Sequence, residues 1–84
     1  MRTTVADFQL ALQAVDVLLE KYEPKHQGKW KDQNVLDHLK HAKGHVQALL
    51  DACDDKFDWN EEDFESAACR MLMALQLRRQ EKAG

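Results

Sequence analysis

The chain has 84 residues, of which 44% are hydrophobic and 32% charged, a balance typical of one small globular domain rather than of a disordered segment. Its formal net charge of −3 argues against a general nucleic-acid binder, because nothing in this balance attracts a polyanion. The sequence contains neither a run of about 18 apolar residues nor a signal-peptide pattern, so we expect a cytoplasmic protein without a membrane span.

The first predicted helix spans residues 4–22. Thr4 and Asp7 have the spacing of a capping box, in which a hydroxyl and a carboxylate satisfy amides at a helix start. Apolar residues then recur at steps of three and four, which is the spacing of one helix face: Val5, Phe8, Leu12, Val15, Leu19 and Tyr22. We expect Pro24 and Gly28 to end this helix.

The second predicted helix spans residues 32–53, and its apolar positions follow the same spacing: Val35, Leu39, Ala42, Val46, Leu49 and Cys53. The third spans residues 60–81, with Asn60 as its N-cap. Its expected core face consists of Phe64, Ala68, Met71, Leu72 and Leu75. Three helices of similar length predict an all-α fold, a three-helix antiparallel bundle that forms a single helical domain over residues 1–84.

A second apolar face of the third helix is left over once this core is assigned. Cys69, Met73 and Leu77 lie roughly opposite the expected core face, and Phe57 and Trp59 add apolar area in the preceding loop. Contiguous exposed apolar surface usually marks a contact site. We therefore predict an interface here, in a homodimer joined through the third helix or in a complex with another protein.

Histidines at spacings of three and four form a strip on the second helix, at His38, His41 and His45. His41 and His45 are the pair best placed to hold Zn²⁺. The alternative is that these imidazoles border the core and contact a neighbouring helix.

Carboxylates are concentrated around the second loop. Glu62 and Glu65 could direct their oxygens at one Mg²⁺ ion, and Asp51 and Asp54 offer a comparable pair at the end of the second helix. The alternative is that the acids complement the positive end of the third helix dipole and face solvent.

Basic residues collect at the first loop and the C-terminus, which lie at the same end of an up-down-up bundle. Lys25, Lys29, Trp30 and Lys31 could bind phosphate, since cations interleaved with an aromatic ring suit phosphates or stacked bases. The alternative is that Trp30 anchors the loop over the core. Cys53 and Cys69 match no CxxC pattern, and we expect two reduced thiols.

Residues 61–78 resemble the C-terminal helix of small, mostly uncharacterised phage and prophage proteins, and residues 21–79 share shorter similarities with them. Some proteins of that kind are distantly similar to all-α deoxynucleotide pyrophosphohydrolases, which use E-x-x-E and E-x-x-D pairs to hold Mg²⁺. By this resemblance Glu62 and Glu65 match the first pair, while no E-x-x-D pair follows.

The sequence thus favours a small non-enzymatic helical protein of phage or prophage type that acts by protein–protein interaction without a cofactor. The alternative is an Mg²⁺-dependent nucleotide pyrophosphohydrolase or a degenerate relative of one.

Overall fold

Three α-helices and two short 3-10 helices make up most of the chain, which confirms the predicted all-α class. The computed structural model describes residues 2–55 and 59–83, except for the side chains of residues 53–55, and no strand occurs among the described residues. The element order is a 3-10 helix at Val5–Phe8, α1 at Gln9–His26, a second 3-10 helix at Lys29–Asp32, α2 at Val35–Asp55 and α3 at Glu61–Ala83.

The first helix ends later than predicted. It passes Pro24 and reaches His26, because a proline in the last turn removes only one intrahelical hydrogen bond. The helix ends where Gln27 adopts a left-handed conformation, and the Gln27 amide donates to the Glu23 carbonyl oxygen at 2.7 Å. Gly28 follows with φ of 71°, which favours glycine at this position.

Asparagine side chains begin the other two helices. Asn34 precedes α2, and its Oδ1 accepts a hydrogen bond from the Asp37 amide at 2.8 Å. The second helix therefore starts after the predicted Asp32, which belongs to the 3-10 helix. Asn60 caps α3 as predicted, with its Oδ1 accepting from the Glu62 amide at 3.0 Å.

The second and third helices form an antiparallel hairpin. His38 contacts Arg70, whereas His45 farther along α2 contacts Asp63 earlier in α3, so the two chains run in opposite directions. The buried residues Ala42, Ala67 and Ala74 are small. Small side chains at such a contact allow two helix axes to come close.

The first helix packs on a different side of α3. Val15, Leu18 and Cys69 form a buried cluster, with Tyr22 and Met73 packed against it. This contact is also antiparallel, since Tyr22 reaches Glu62 near the start of α3 whereas Val15 shares a hollow with Met73. Both α1 and α2 therefore run opposite to α3, and residues 27–34 return along it, unlike the up-down-up order assumed from the sequence.

The predicted faces of α3 are exchanged in the structure. Cys69 is only 6% exposed, and Met73 and Leu77 are partly buried, so the prediction that these three form the leftover face is wrong. The expected core residues are exposed instead: Phe64, Ala68, Met71, Leu72 and Leu75. Two neighbouring helices occupy the sides of α3 that carry the small residues, where close approach is possible.

The molecule is more extended than a compact domain of its length. Its Cα radius of gyration is 14.3 Å, against about 12 Å expected for a compact chain of this size. The N-terminal segment contributes to this, because Val5 and Phe8 of the first 3-10 helix and Leu10 at the start of α1 are 53–84% exposed. No helix among the described residues is long and apolar enough to cross a membrane.

Candidate functional site: a cleft beside α1 and an uncovered hairpin face

A cleft of about 310 Å³ lies between α1, the second 3-10 helix and α3. Leu18, Cys69 and Met73 give it apolar lining, and Trp30 and Arg70 also line it. A second hollow shares Trp30, Cys69 and Met73 with the cleft and adds Val15 and Leu72. Lys31, Gln76 and Gln80 also line this second hollow, so the two together form a groove along α1 and α3 in which apolar side chains are flanked by polar ones.

Arg70 is held at one edge of its guanidinium group. Its Nη1 donates to Gln33 Oε1 at 2.7 Å and to His38 Nδ1 at 3.1 Å. Nε2 of His38 lies 2.9 Å from the Trp30 carbonyl oxygen. Because a carbonyl oxygen only accepts, Nε2 carries the proton and Nδ1 is free to accept from Arg70. His38, fully buried at 0% exposure, is therefore a neutral ring that positions Arg70.

The Arg70 charge is not neutralised by a carboxylate of the described residues. Both hydrogen-bond acceptors, Gln33 and His38, are neutral, and the ion pairs of the described chain involve other residues. A part-buried guanidinium with two neutral partners keeps its full charge toward the cleft, where an anion would be stabilised.

Tyr22 and Glu62 join α1 to α3 at the same cleft. The Tyr22 hydroxyl donates to Glu62 Oε1. This hydrogen bond, followed by desolvation and the Glu62 charge, raises the pKa of Tyr22 above its ordinary value. The phenol is thus a neutral donor, and Glu62 is occupied as an acceptor.

Cys69 lies in the apolar lining of the cleft. Burial raises the pKa of its thiol, and the nearby charge of Glu65 raises it further, while Arg70 acts in the opposite direction. The thiol is therefore poorly ionised at neutral pH, which disfavours a role as a nucleophile. Cys53 lies outside the described side chains.

Two of the predicted Mg²⁺ ligands form hydrogen bonds with other side chains. Glu62 accepts from Tyr22, and Asp51 accepts from Gln47 Nε2 at 2.9 Å. Glu65 is half-buried, and Asp54 lies outside the described side chains. No group of three or more candidate metal ligands is found among the described residues. Glu62 and Asp51 thus each have a hydrogen-bond partner within the fold.

The histidine strip divides between the core and solvent. His38 and His45 face α3, and His45 Nδ1 contacts Asp63 Oδ1 at 2.8 Å. His41 is exposed. The pair predicted for Zn²⁺ therefore has His45 engaged with a carboxylate on the neighbouring helix, in line with the alternative that these histidines border the core.

The predicted phosphate ligands sit on two elements. Lys25 of α1 lies 5.9 Å from the centroid of the Tyr22 ring, whereas Lys31 lies 6.0 Å from that of Trp30 in the second 3-10 helix. Lys29 and Trp30 line the cleft. Lys29, Trp30 and Lys31 therefore line the groove, whereas Lys25 lies beside Tyr22 on α1.

The side of the hairpin away from α1 carries a row of exposed apolar side chains on each helix. On α2 these are Leu39, Val46 and Leu50, and on α3 they are Phe64, Met71 and Leu75, each 41–58% exposed. We call these six residues the hairpin face. Trp59 adjoins it, with its ring 5.9 Å from the Phe64 ring and its indole N–H donating to the Leu49 carbonyl oxygen at 3.0 Å.

Helix geometry places both rows on one side. Phe64 and Met71 each follow a residue that contacts α2, namely Asp63 and Arg70, and one residue turns a helix by about 100°. Leu39 and Val46 likewise follow His38 and His45, which contact α3. Because the helices are antiparallel, equal rotations turn the two rows to the same side of the hairpin.

Sequence reasoning did not identify Arg70 or Gln33 as site residues. A signal was available for Arg70, since it is the one basic residue within the alanine- and methionine-rich part of α3. Gln33 carries no comparable pattern, because its role depends on how residues 27–34 return along α3. Phe57, predicted at the interface, lies outside the described residues.

No family model, no curated protein and no solved structure matches this chain.

Proposed function

We propose that this chain is a small non-enzymatic helical protein that acts by protein–protein contact, and that a second copy covers its hairpin face. The observation that carries the proposal is the hairpin face, with its two rows of three large apolar side chains, each 41–58% exposed, on one side of the α2–α3 hairpin. Scattered exposed leucines are ordinary on protein surfaces, but a contiguous set on two adjacent helices is typical of a binding surface.

The energetic scale supports a partner. Full burial of one large apolar side chain contributes about 1.5–3 kcal/mol. Covering six half-exposed ones would therefore contribute on the order of 5 kcal/mol of binding free energy from each protomer. That amount is comparable with the whole folding free energy of a small domain. An 84-residue domain also buries a small fraction of its surface, which makes association a natural source of stability.

Charge supports a second copy as the partner. The end of the hairpin near its connecting loop carries exposed Asp51 and Glu61, whereas the end of α3 carries exposed Arg79 and Lys82. In a dimer whose two-fold axis lies in the interface perpendicular to the helices, the two hairpins run antiparallel, and the acidic end of one protomer meets the basic end of the other.

The test compares the solution mass of wild type with that of two variants, Val46→Asp and Met71→Asp, by sedimentation equilibrium. A charge on the hairpin face should convert a dimeric wild type to monomers while the circular dichroism spectrum stays helical. Leu10→Asp is the matched control, because Leu10 is 84% exposed on α1, away from the face, and its variant should stay dimeric.

A monomeric wild type across micromolar to millimolar concentration would overturn the proposal, as would a Leu10→Asp variant that dissociates as readily as Met71→Asp. Met73→Asp serves a different purpose. Met73 packs against the core cluster, so its variant should lose helical structure rather than association alone.

An Mg²⁺-dependent pyrophosphohydrolase gains no specific support from the site, since Glu62 of the predicted E-x-x-E pair accepts a hydrogen bond from Tyr22. Calorimetry with Mg²⁺ and an assay for pyrophosphate release from deoxynucleoside triphosphates test it directly.

A further inference from the structure

The cleft beside α1 offers chemistry that the hairpin face does not use. The face lies on the opposite side of the α2–α3 hairpin from α1, so a partner there leaves the cleft open. We propose that the cleft binds a small organic monocarboxylate with an apolar body, whose carboxylate pairs with Arg70 and whose body lies along the groove between α1 and α3.

Arg70 is the anion-binding group in this proposal. Its Nη1 is fixed by Gln33 and His38, and His38 is itself fixed by the Trp30 carbonyl oxygen, so the guanidinium is oriented before any ligand arrives. Its hydrogen-bond acceptors are neutral, and no carboxylate of the described residues forms an ion pair with it. A carboxylate fits the planar fork of a guanidinium with two parallel hydrogen bonds.

The charges lining the cleft favour a monoanion over a dianion. The ionisable groups that line the cleft are Lys29, Arg70, Glu23, Glu62, His26 and His45. The two carboxylates repel a phosphate dianion more strongly than a monoanion, whereas a single carboxylate adds one negative charge close to the guanidinium.

The apolar residues of the groove would contact the apolar body of the ligand. Leu18, Cys69 and Met73 continue from the cleft toward Val15 and Leu72 in the adjoining hollow, and Trp30 lines both. A fixed guanidinium beside a continuous set of apolar side chains suits an acid with an apolar body better than a wholly polar metabolite. The cleft volume of about 310 Å³ lies at the small end of the range for ligand pockets.

The test is a titration of wild type with octanoate, 1-octanol and inorganic phosphate, followed in nuclear magnetic resonance spectra by the methyl signals of the three methionines and the indole signals of the two tryptophans. Octanoate should shift Met73 and Trp30, and it should bind about tenfold or more tightly than octanol, which has the same chain without the charge. Phosphate at equal concentration should not displace it.

Two variants locate the charge. Arg70→Gln should weaken octanoate binding about tenfold or more and leave octanol binding unchanged, whereas Arg2→Gln, at an exposed arginine outside the cleft, should bind like wild type. If Arg70→Gln does not fold, the affinities of wild type for octanoate and octanol are sufficient to show whether the carboxylate contributes to binding.

Equal affinity for octanoate and octanol would overturn the proposal, and so would displacement of octanoate by phosphate. Met71 on the hairpin face is a built-in control for position. Octanoate shifts centred on Met71 rather than Met73 would place the ligand on the hairpin face and reject the cleft site.

Discussion

At the scale of single residues, the polar groups beside the cleft are arranged in connected pairs. His38 has no exposed surface, yet both of its ring nitrogens have partners, the Trp30 carbonyl oxygen and the Arg70 guanidinium. A buried polar group without partners would cost about 1–3 kcal/mol, so this pairing is what permits a histidine in the contact between α2 and α3. The same pairing orients Arg70.

Tyr22 provides a direct measure of the contact between α1 and α3. Its pKa is raised by the hydrogen bond to Glu62, so its ionisation by ultraviolet absorbance should occur above the ordinary value of 10.0. The chain contains one tyrosine, which makes the signal unambiguous. Because the folded pKa exceeds the unfolded one, the linked stability is fully present below pH 10 and is lost as pH rises through the folded pKa.

Glu62→Gln is the matched control for this titration. It removes the negative charge and keeps the size of the side chain, so the Tyr22 pKa should fall back toward 10.0. A wild-type Tyr22 that ionises at or below the ordinary value would contradict the hydrogen bond between α1 and α3.

Cys69 should react slowly with thiol reagents. In a Cys53→Ser background, alkylation near neutral pH should proceed much more slowly in the native protein than in urea, because burial both excludes the reagent and raises the pKa of the thiol. A native rate close to the unfolded rate would contradict the place of Cys69 in the core cluster.

At the scale of helices, a cap depends on a few neighbouring residues, whereas the buried face of a helix depends on the helices that pack against it. Asn60 could be identified from sequence because an N-cap acts within two or three residues. The predicted end of α1 at residue 22 is too early, because Pro24 lies inside the helix and does not terminate it. The conformations of Gln27 and Gly28 decide that end, and a proline in the last turn of a helix is tolerated.

Replacing Asn60 by alanine should lower the free energy of unfolding by about 1 kcal/mol, since the Glu62 amide loses its acceptor. Urea denaturation followed by circular dichroism measures this. Gln13→Ala, at an exposed position within α1, should change stability little. Equal effects of the two substitutions would argue against capping by Asn60.

At the scale of the whole molecule, an extended shape and an uncovered face have the same origin. The helix α3 is the common neighbour of α1 and α2, and both pack on adjacent sides of it through contacts such as Cys69 with Val15 and Leu18, or Arg70 with His38. Among the described residues, no third helix therefore packs on the other side of the α2–α3 hairpin.

Self-association through this face should weaken as salt concentration rises, because the proposed antiparallel arrangement sets Glu61 of one protomer near Arg79 of the other. Sedimentation equilibrium over a range of sodium chloride measures the effect. Arg79→Glu should weaken the dimer, and adding Glu61→Arg in the same chain should restore it. A dimer that strengthens with salt and ignores both substitutions would keep the apolar contact but reject the antiparallel arrangement.

The sequence by itself determined the three helices, the cap at Asn60 and the all-α class, because spacing and capping act over a few residues. It could not decide which face of α3 is buried, since apolar residues lie on two sides of this helix. Which side is buried depends on where α1 and α2 pack against it. Tertiary structure placed Cys69 in the core and Phe64, Met71 and Leu75 on the surface. It also brought Gln33, His38 and Arg70 together, through a chain return that no local pattern encodes.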